Sequence, residues 1–318
     1  MAVRNDDGSF KMRESKFRNY IAVGGRFPPE KGRYHLYVSY ACPWAHRALI
    51  VWALKGLEDI IDVSIANPQL LDGWRFVPSD RKVPNDERDV WDFPGATVDK
   101  VYGTTQLSDL YHKADPTYDG RYTVPVLWDT REATIVNNES SEVVRSLASG
   151  FDSILPASLP ASAIDLYPEH LRAEIDATNA WVHRDINVGV YKVGFATTQQ
   201  AYDVAIRDHV AGMARVEALL SDGREWLVGG AMTEADVRLF TSIIRYDPVY
   251  VVAFKTNYGL VRHDYPYLHH WLKKMYWTVP ACKDTTHWDH LKAGYHWVSG
   301  KIPIGPNNNI EALTDDEG

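Results

Sequence analysis

Strand-like and helix-like hydrophobic patterns occupy different parts of this 318-residue chain. Alternating segments rich in β-branched and aromatic residues occur before residue 150, interleaved with helical segments. After residue 167 the apolar residues recur at helical spacing throughout. The stretch 151–167 is rich in Pro, Ser and Ala and is typical of a linker. The sequence therefore predicts an α/β domain over 1–150 and an all-helical domain over 168–318.

The α/β domain is predicted to run β-α-β and then β-β-α. Its elements, in chain order, are a strand at 33–40, a helix at 43–54, a strand at 59–65, a hairpin at 122–136 and a helix at 138–149. Residues 67–119 lack regular periodicity and are rich in Pro, Gly, Asp and Trp. A connection of that length is usually either functional or disordered. The sequence leaves both possibilities open for this loop.

Charge and cysteine content exclude several classes of protein. The formal net charge is −8, and no basic cluster suited to phosphate contacts is apparent, so no nucleic-acid partner is expected. No apolar run is long enough to cross a bilayer, which predicts no membrane association. Two cysteines, Cys42 and Cys282, cannot form a disulfide framework and favour a reducing, cytoplasmic compartment. The histidines at 269–270 and 287–290 lack further ligands at a recognisable spacing, so no metal is predicted.

Cys42 lies where the first predicted strand gives way to the first predicted helix. Helix N-terminal amides and the helix dipole stabilise a thiolate, so we expect the pKa of Cys42 to fall below the usual value of about 8.5. The alternative is an inert, buried cysteine. Because Ala45 stands where a second cysteine would allow internal resolution, a mixed disulfide on Cys42 would need an external thiol for its release.

Two further segments carry features of a peptide-binding site. Val124-Pro125 precedes an apolar strand, at the place where thioredoxin-like folds have a cis-proline beside the reactive cysteine. Backbone groups before such a proline can pair with an extended peptide. Glu139-Ser140 begins a helix, and a hydroxyl with helix N-terminal amides can bind a carboxylate. Taken alone, Glu139-Ser140 is also compatible with an ordinary helix cap.

These segments together resemble the glutathione transferase superfamily. The motifs that resemble the glutathione site of that superfamily are Cys42-Pro43, Thr123 to Asp129 and Asn138-Glu139-Ser140. A more specific resemblance, to the glutathionyl-hydroquinone reductases of the Xi class, is carried by residues 42–47, 73–74, 189–192, 194–197 and 247–250. The resemblance extends from about Phe17 to Ile304. It implies a thioredoxin-like N-terminal domain, then an all-helical acceptor-substrate domain with a C-terminal extension.

The resemblance also assigns residues position by position. It implies that Cys42 is the nucleophile, and that glutathione is bound by Trp74, Arg121, Val124, Glu139 and Ser140. Val124 would pair with the cysteinyl backbone, Glu139 would take the γ-glutamyl ammonium, and Ser140 the neighbouring carboxylate. Arg121 would bind the glycine carboxylate, and Trp74 would cover the tripeptide. The acceptor substrate would be bound by Tyr191, Tyr250 and Tyr295.

The reaction that the resemblance implies is quinone detoxification with glutathione as co-substrate. Cys42 thiolate attacks the glutathionyl sulfur of an S-glutathionyl-hydroquinone, hydroquinone leaves, and a second glutathione releases glutathione disulfide. Tyr191 would also be catalytic, since a hydrogen bond from its hydroxyl to the ring oxygen would stabilise the developing enolate. The surplus of aromatic residues, 11 Trp and 18 Tyr, and the habit of the fold also predict a homodimer.

Two other functions remain open at this point. An omega-like thiol transferase or dehydroascorbate reductase would need the Cys42 thiolate and no donor for a ring oxygen. A non-catalytic interaction module on the same fold would need neither, and the cysteine and tyrosines argue against it.

Overall fold

A computed structural model describes residues 3–70, 72–78, 93–156 and 164–296; residues 3 and 296 are described by their backbone alone. Parts of the predicted linker (157–163), of the long loop (71 and 79–92) and the C-terminal extension from residue 297 lie outside the described residues. The chain forms two compact units. One contains Ser15–Ile164 and the segment that begins at Asp284; the other contains the N-terminal arm to Glu14 and Asp165–Lys283. The predicted domain bounds, 1–150 and 168–318 with a linker at 151–167, stay a prediction.

A four-stranded mixed sheet forms the centre of the first unit. The strands are β3 (Tyr34–Val38), β4 (Asp62–Ile65), β5 (Val126–Asp129) and β6 (Thr134–Asn137), and their order in the sheet is β4-β3-β5-β6. β3 is parallel to β4 and antiparallel to β5, which is antiparallel to β6. Leu36 pairs with Val63 on one side and Leu127 on the other, and all three are buried. The predicted βαβ-ββα order of a thioredoxin-like domain is confirmed.

Helices cover this sheet and include one that the sequence analysis missed. The helices of the first unit are α1 (Pro43–Leu54), α2 (Leu107–Ala114), α3 (Ser140–Ser149) and α12 (Trp288–His296). α2 lies inside 67–119, so the expectation of an irregular connection is wrong for these residues. Its buried side chains, Leu107, Leu110 and Tyr111, have the i, i+3, i+4 spacing of one helical face. Eight residues gave too short a pattern to distinguish from the surrounding Pro- and Gly-rich sequence.

The second unit is helical, as predicted, apart from a short N-terminal hairpin. Its α-helices are α4 (Arg172–Trp181), α5 (Gly189–Gly194), α6 (Gln199–Leu220), α7 (Glu234–Ile243), α8 (Val251–Ala253), α9 (Val261–Asp264), α10 (Pro266–Thr278) and α11 (Pro280–Asp284). π-helical turns over Val182–Asn187 and Tyr246–Tyr250 precede α5 and α8. The hairpin pairs β1 (Val3–Arg4) with β2 (Phe10–Lys11). Among the described residues, no helix combines the length and the apolarity that crossing a bilayer requires.

Capping explains where two of these helices begin. The Thr198 hydroxyl accepts a hydrogen bond from the Ala201 amide at the start of α6. At α7, Thr233 and Asp236 form a capping box, in which the side chain of each residue accepts a hydrogen bond from the backbone amide of the other. Asp236 also accepts hydrogen bonds from the Leu227 amide and the Trp271 indole, so this cap ties three segments together.

Candidate active site

Cys42 is the N-cap residue of α1, as its position between strand and helix predicted. Its amide donates to the Ser39 carbonyl at 3.1 Å, and its carbonyl accepts from the His46 amide at 2.9 Å. The side chain is 8% exposed, and Sγ lies 3.5 Å from the Val124 carbonyl oxygen. The first turn of α1 holds no acidic residue, so no carboxylate opposes the positive end of the helix dipole there. A lowered pKa of Cys42 stays a prediction, which rests on its position at the positive end of the helix dipole.

The Val124-Pro125 peptide bond is cis and lies directly beside Cys42. The preceding residue is held by the buried Tyr111 of α2. The Tyr111 hydroxyl donates to the Thr123 carbonyl at 2.7 Å and accepts from the Asn138 amide group at 3.1 Å. One hydroxyl therefore joins α2, the loop before β5 and the start of α3. Nothing in the local sequence could have assigned Tyr111 this role, because its partners are more than ten residues away.

Glu139 and Ser140 lie together at the N-terminus of α3, with Glu139 as the N-cap residue. The Glu139 carboxylate accepts from the Ser141 amide at 3.3 Å and from the Ser15 hydroxyl at 3.1 Å. The Ser140 hydroxyl accepts from the Arg47 guanidinium of α1 at 3.4 Å. Glu139 thus caps the helix. Binding of a ligand carboxylate by Ser140 and the first amides of α3 stays a prediction.

Arg47 and Ser15 are polar neighbours of this cluster that the sequence analysis did not select. Arg47 is 2% exposed and lies over the Trp44 ring, with its guanidinium carbon 4.4 Å from the ring centroid. It connects the helix of Cys42 to the helix of Ser140. The signal for Arg47 was available, since it is a charged residue in a helix whose other side chains, apart from His46, are apolar. Ser15 carried none.

Trp74 and Arg121 enter the same unit from two other segments. Trp74 is 8% exposed, and its carbonyl accepts from the Leu107 amide at the start of α2. Arg121 has an exposed side chain, and its carbonyl accepts from the Tyr118 hydroxyl at 2.9 Å. The structure therefore brings Cys42 against Val124 and Glu139 against Ser140. Any contact of Trp74 and Arg121 with glutathione stays a prediction.

Tyr295 belongs to the first unit, on α12, although it was expected in the helical domain with Tyr191 and Tyr250. α12 packs on the turn that precedes Cys42. A Cβ added to Gly294 would overlap the Cβ of Ala41, so the two backbones approach more closely than any other residue would allow. The rings of Tyr40 and His287 are stacked with centroids 3.5 Å apart. Tyr295, the residue after Gly294, is thereby placed beside the turn of Cys42.

The other two tyrosines belong to a cluster of aromatic rings in the helical unit. Tyr191 on α5 has its ring centroid 6.3 Å from that of Tyr250 and 5.3 Å from that of Phe254. The Tyr250 and Phe254 rings are stacked at 5.3 Å and are buried, whereas Tyr191 is half-buried. Part of Tyr191 is therefore accessible, while its ring packs near the buried rings of Tyr250 and Phe254.

The surroundings of the other candidate residues, Cys282, His287 and His290, favour a structural role. Burial raises the pKa of the Cys282 thiol well above its usual value, which keeps it protonated and unreactive. Burial also lowers the pKa of His287 to about 4 and that of His290 below its usual value, so both rings are neutral at pH 7. His290 Nε2 donates to the Pro94 carbonyl at 2.6 Å. In the described part of the chain, no three His, Cys, Asp or Glu side chains converge as metal ligands. The predicted lack of a metal stays a prediction.

Two family models match this chain. The model described as the N-terminal domain of glutathione S-transferase matches residues 41–149, and that described as the C-terminal domain matches residues 199–274. These ranges contain the turn of Cys42 and helices α6 to α10, apart from the final residues of α10.

Relatives cover almost the whole chain. The glutathionyl-hydroquinone reductase YqjG of Escherichia coli is 42% identical, over 97% of this chain and 92% of its own length. The crystal structure of the Xi glutathione S-transferase of Phanerochaete chrysosporium is 48% identical, with a TM-score of 0.88 over 96% of this chain and 95% of that one. A Xi transferase of Saccharomyces cerevisiae in complex with glutathione is 39% identical, with a TM-score of 0.89 over 97% and 100%.

The fold and the matched domains define an enzyme of the glutathione transferase superfamily. Within it, the chain belongs to the Xi class. The resemblance read from the sequence motifs is thus confirmed.

Proposed function

We propose that this protein reduces S-glutathionyl-hydroquinones to hydroquinones at the expense of glutathione. The observation that carries the proposal is Cys42 at the N-terminus of α1, with Sγ beside the Val124 carbonyl, in a chain 42% identical to a glutathionyl-hydroquinone reductase. A hydroxyl at this position would only stabilise the thiolate of bound glutathione. A cysteine forms a mixed disulfide, which suits removal of glutathione and not its conjugation.

The reaction proceeds in two exchanges at sulfur. Cys42 thiolate attacks the sulfur of the conjugate; a Cys42–glutathione disulfide forms and the carbon–sulfur bond breaks. The bonding electron pair passes to the ring carbon, which takes a proton and leaves as part of the hydroquinone. A second glutathione thiolate then attacks the mixed disulfide, giving glutathione disulfide and regenerating Cys42 thiolate. The ring is reduced and two glutathione sulfurs are oxidised, so the electrons balance.

Glutathione is bound in the proposal by the residues clustered in the first unit. Glu139 takes the γ-glutamyl ammonium, while Ser140 and the first amides of α3 take the adjacent carboxylate. The Val124 backbone pairs with the cysteinyl unit, Arg121 takes the glycine carboxylate, and Trp74 covers the peptide. Support comes from the Glu139–Ser140 polar cluster and from the glutathione complex of the yeast Xi transferase.

The hydroquinone ring is bound in the proposal by Tyr191, Tyr250 and Tyr295. Carbon is a poor leaving group unless the ring accepts the electrons. A keto form at the neighbouring ring position accepts them, and the Tyr191 hydroxyl donates a hydrogen bond to that oxygen as charge develops on it. At an ordinary pKa of about 10 a tyrosine keeps this proton at pH 7.

The deciding experiment is to incubate the purified protein with a glutathionyl-hydroquinone and glutathione, and to follow hydroquinone and glutathione disulfide together. We expect equal amounts of both products. Reduction of glutathione mixed disulfides or of dehydroascorbate without hydroquinone release would contradict the proposal and favour an omega-like thiol transferase. Absence of both activities would favour an interaction module.

The assembly we propose is a cytoplasmic homodimer without nucleic-acid or membrane partners. Sedimentation at micromolar concentration tests the dimer, because a single species at 36.1 kDa would contradict it.

A further inference from the structure

We propose that the N-terminal hairpin supplies Phe10 as an aromatic wall for the acceptor ring, beside Tyr191. The inference rests on the proposed function, in which Tyr191 contacts that ring. No part of the family match covers the hairpin, since the matched ranges begin at residue 41. Phe10 is thus a candidate specificity residue that neither the motifs nor the family models assign.

Hydrogen bonds fix the hairpin to the segment that follows α5. The Gly8 carbonyl accepts from the Thr197 amide at 3.1 Å, and the Asp7 carbonyl accepts from the Thr198 hydroxyl at 2.9 Å. The Arg4 side chain donates to the Phe195 carbonyl at 3.3 Å. Gly8 has φ +83, and a Cβ there would lie 2.7 Å from Thr197 Oγ1. The close approach therefore requires glycine, and it holds β2 in one place relative to α5.

This attachment places Phe10 in contact with the aromatic cluster. The Phe10 ring centroid is 5.6 Å from that of Phe195 and 6.4 Å from that of Tyr191, and the Tyr191 and Phe195 centroids are 5.8 Å apart. The three rings form a triangle with separations typical of packed aromatic pairs. Tyr191 therefore has Phe10 on one side and the buried pair of Tyr250 and Phe254 on another.

The exposed fraction differs among the rings of this cluster. Tyr250 is 0% and Phe254 6% exposed, whereas Phe10, Tyr191 and Phe195 are half-buried. A ring serving only to anchor a two-residue strand would be covered by its neighbours. Phe10 is partly accessible, and its ring lies 6.4 Å, centroid to centroid, from the tyrosine whose hydroxyl we propose as donor. A flat, electron-rich ring packs well on such a surface, and a ring system larger than one ring would cover more of it.

The test compares Phe10→Leu with wild type on three substrates: a one-ring glutathionyl-hydroquinone, a glutathionyl-naphthohydroquinone and the mixed disulfide of glutathione with 2-mercaptoethanol. Leucine keeps an apolar anchor but removes the aromatic face. We expect KM to rise about three- to tenfold for the aromatic conjugates, more for the two-ring one, with kcat within about twofold. The mixed disulfide should react as in wild type. Tyr258→Leu, which removes an exposed ring from the same unit, is the matched control and should change nothing.

A binding measurement keeps the test independent of turnover. In a Cys42→Ser background, calorimetry should show the same rise in Kd for the conjugates with Phe10→Leu, and a Kd near that of the unchanged background with Phe10→Tyr. Unchanged KM and Kd, or an equal loss on the mixed disulfide, would overturn the proposal and leave Phe10 as an anchor. If wild type binds the conjugate without releasing hydroquinone, the proposed function fails while the Kd comparison still decides Phe10.

Discussion

Cys42 and Cys282 differ in the surroundings that decide thiol reactivity. Cys42 is the N-cap residue of α1, with no acidic residue in the first turn, whereas Cys282 is wholly buried on α11 and burial raises the pKa of its thiol. A thiol is nucleophilic only as its thiolate, so reactivity should be confined to Cys42.

Cys42→Ser is expected to abolish turnover of both quinone conjugates and mixed disulfides, with glutathione affinity almost unchanged, because binding is assigned to other groups. After incubation with glutathione disulfide, mass spectrometry should find a glutathione adduct on Cys42 of the wild-type protein. Cys282→Ala is the matched control and should keep full activity. An adduct confined to Cys282 would reverse the assignment.

Tyr191→Phe separates the two enzymatic readings, because it removes one hydroxyl and keeps the ring that packs on Phe254. Losing a donor aimed at developing charge costs about 10²–10³ in rate, so hydroquinone release should fall steeply. Disulfide reduction should change little, since a thiolate leaving group needs no such donor. Tyr267→Phe, at an exposed tyrosine of the same unit, controls for the substitution. Equal losses on both substrates would mean that Tyr191 shapes the site without taking part in the chemistry.

The sequence predicted those helices and strands that local patterns encode. The strand before Cys42 and the helix after it have clear periodicity, and Thr233 with Asp236 is a capping box that can be read directly from the chain. The hairpin at β1 and β2 has strands of two residues, which leave no period to detect. The role of α12 depends on contact between Gly294 and Ala41, some 250 residues apart, and such contacts have no local signature.

The contact between α12 and the turn of Cys42 gives a prediction about catalysis. Gly294→Ala places a methyl group against Ala41 and should displace the turn, and small misplacements of reacting groups can cost about 100-fold in rate. We expect kcat to fall on conjugates and mixed disulfides alike, because both reactions use Cys42. Gly230→Ala, where an added Cβ meets no atom within 4 Å, is the control.

The second variant of this test removes the overlap from the other side. Ala41→Gly in the Gly294→Ala background takes away the opposing methyl and should restore most of the lost rate. Full activity of Gly294→Ala alone would show that α12 does not hold the turn. Failure of the double variant to recover would assign the loss to α12 itself.

At the scale of the whole molecule, each unit contains a buried histidine that folding keeps neutral. His35 on β3 is 3% exposed and its ring contacts the Ser64 hydroxyl at 2.8 Å. His209 on α6 is 0% exposed, and its Nδ1 contacts the Asp185 carbonyl at 2.9 Å. Burial lowers the pKa of each ring to about 4, from an ordinary 6.5. The buried histidine of each unit therefore makes the folded protein less stable as the pH falls.

The sign of that dependence follows from proton counts. Between pH 6.5 and 4 the unfolded chain binds protons at these histidines that the folded chain does not, so the free energy of unfolding falls as pH falls through this window. At pH 5 the loss is about 2 kcal/mol for each histidine relative to neutral pH. Asp236 acts in the opposite sense, because burial raises its pKa to about 6, and acid then favours the folded state. The total slope mixes these contributions, so a variant must isolate one of them.

His209→Asn isolates the helical unit, since the asparagine amide can still donate to the Asp185 carbonyl. Urea denaturation at pH 7.5 and at pH 5 should show that wild type loses more unfolding free energy on acidification than the variant, by about 2 kcal/mol. The comparison is between changes with pH, so any general destabilisation of the variant cancels. His170→Asn, at an exposed histidine of the same unit, should keep the wild-type loss. An identical loss in His209→Asn and wild type would mean that His209 takes up its proton in the folded state as readily as in the unfolded one.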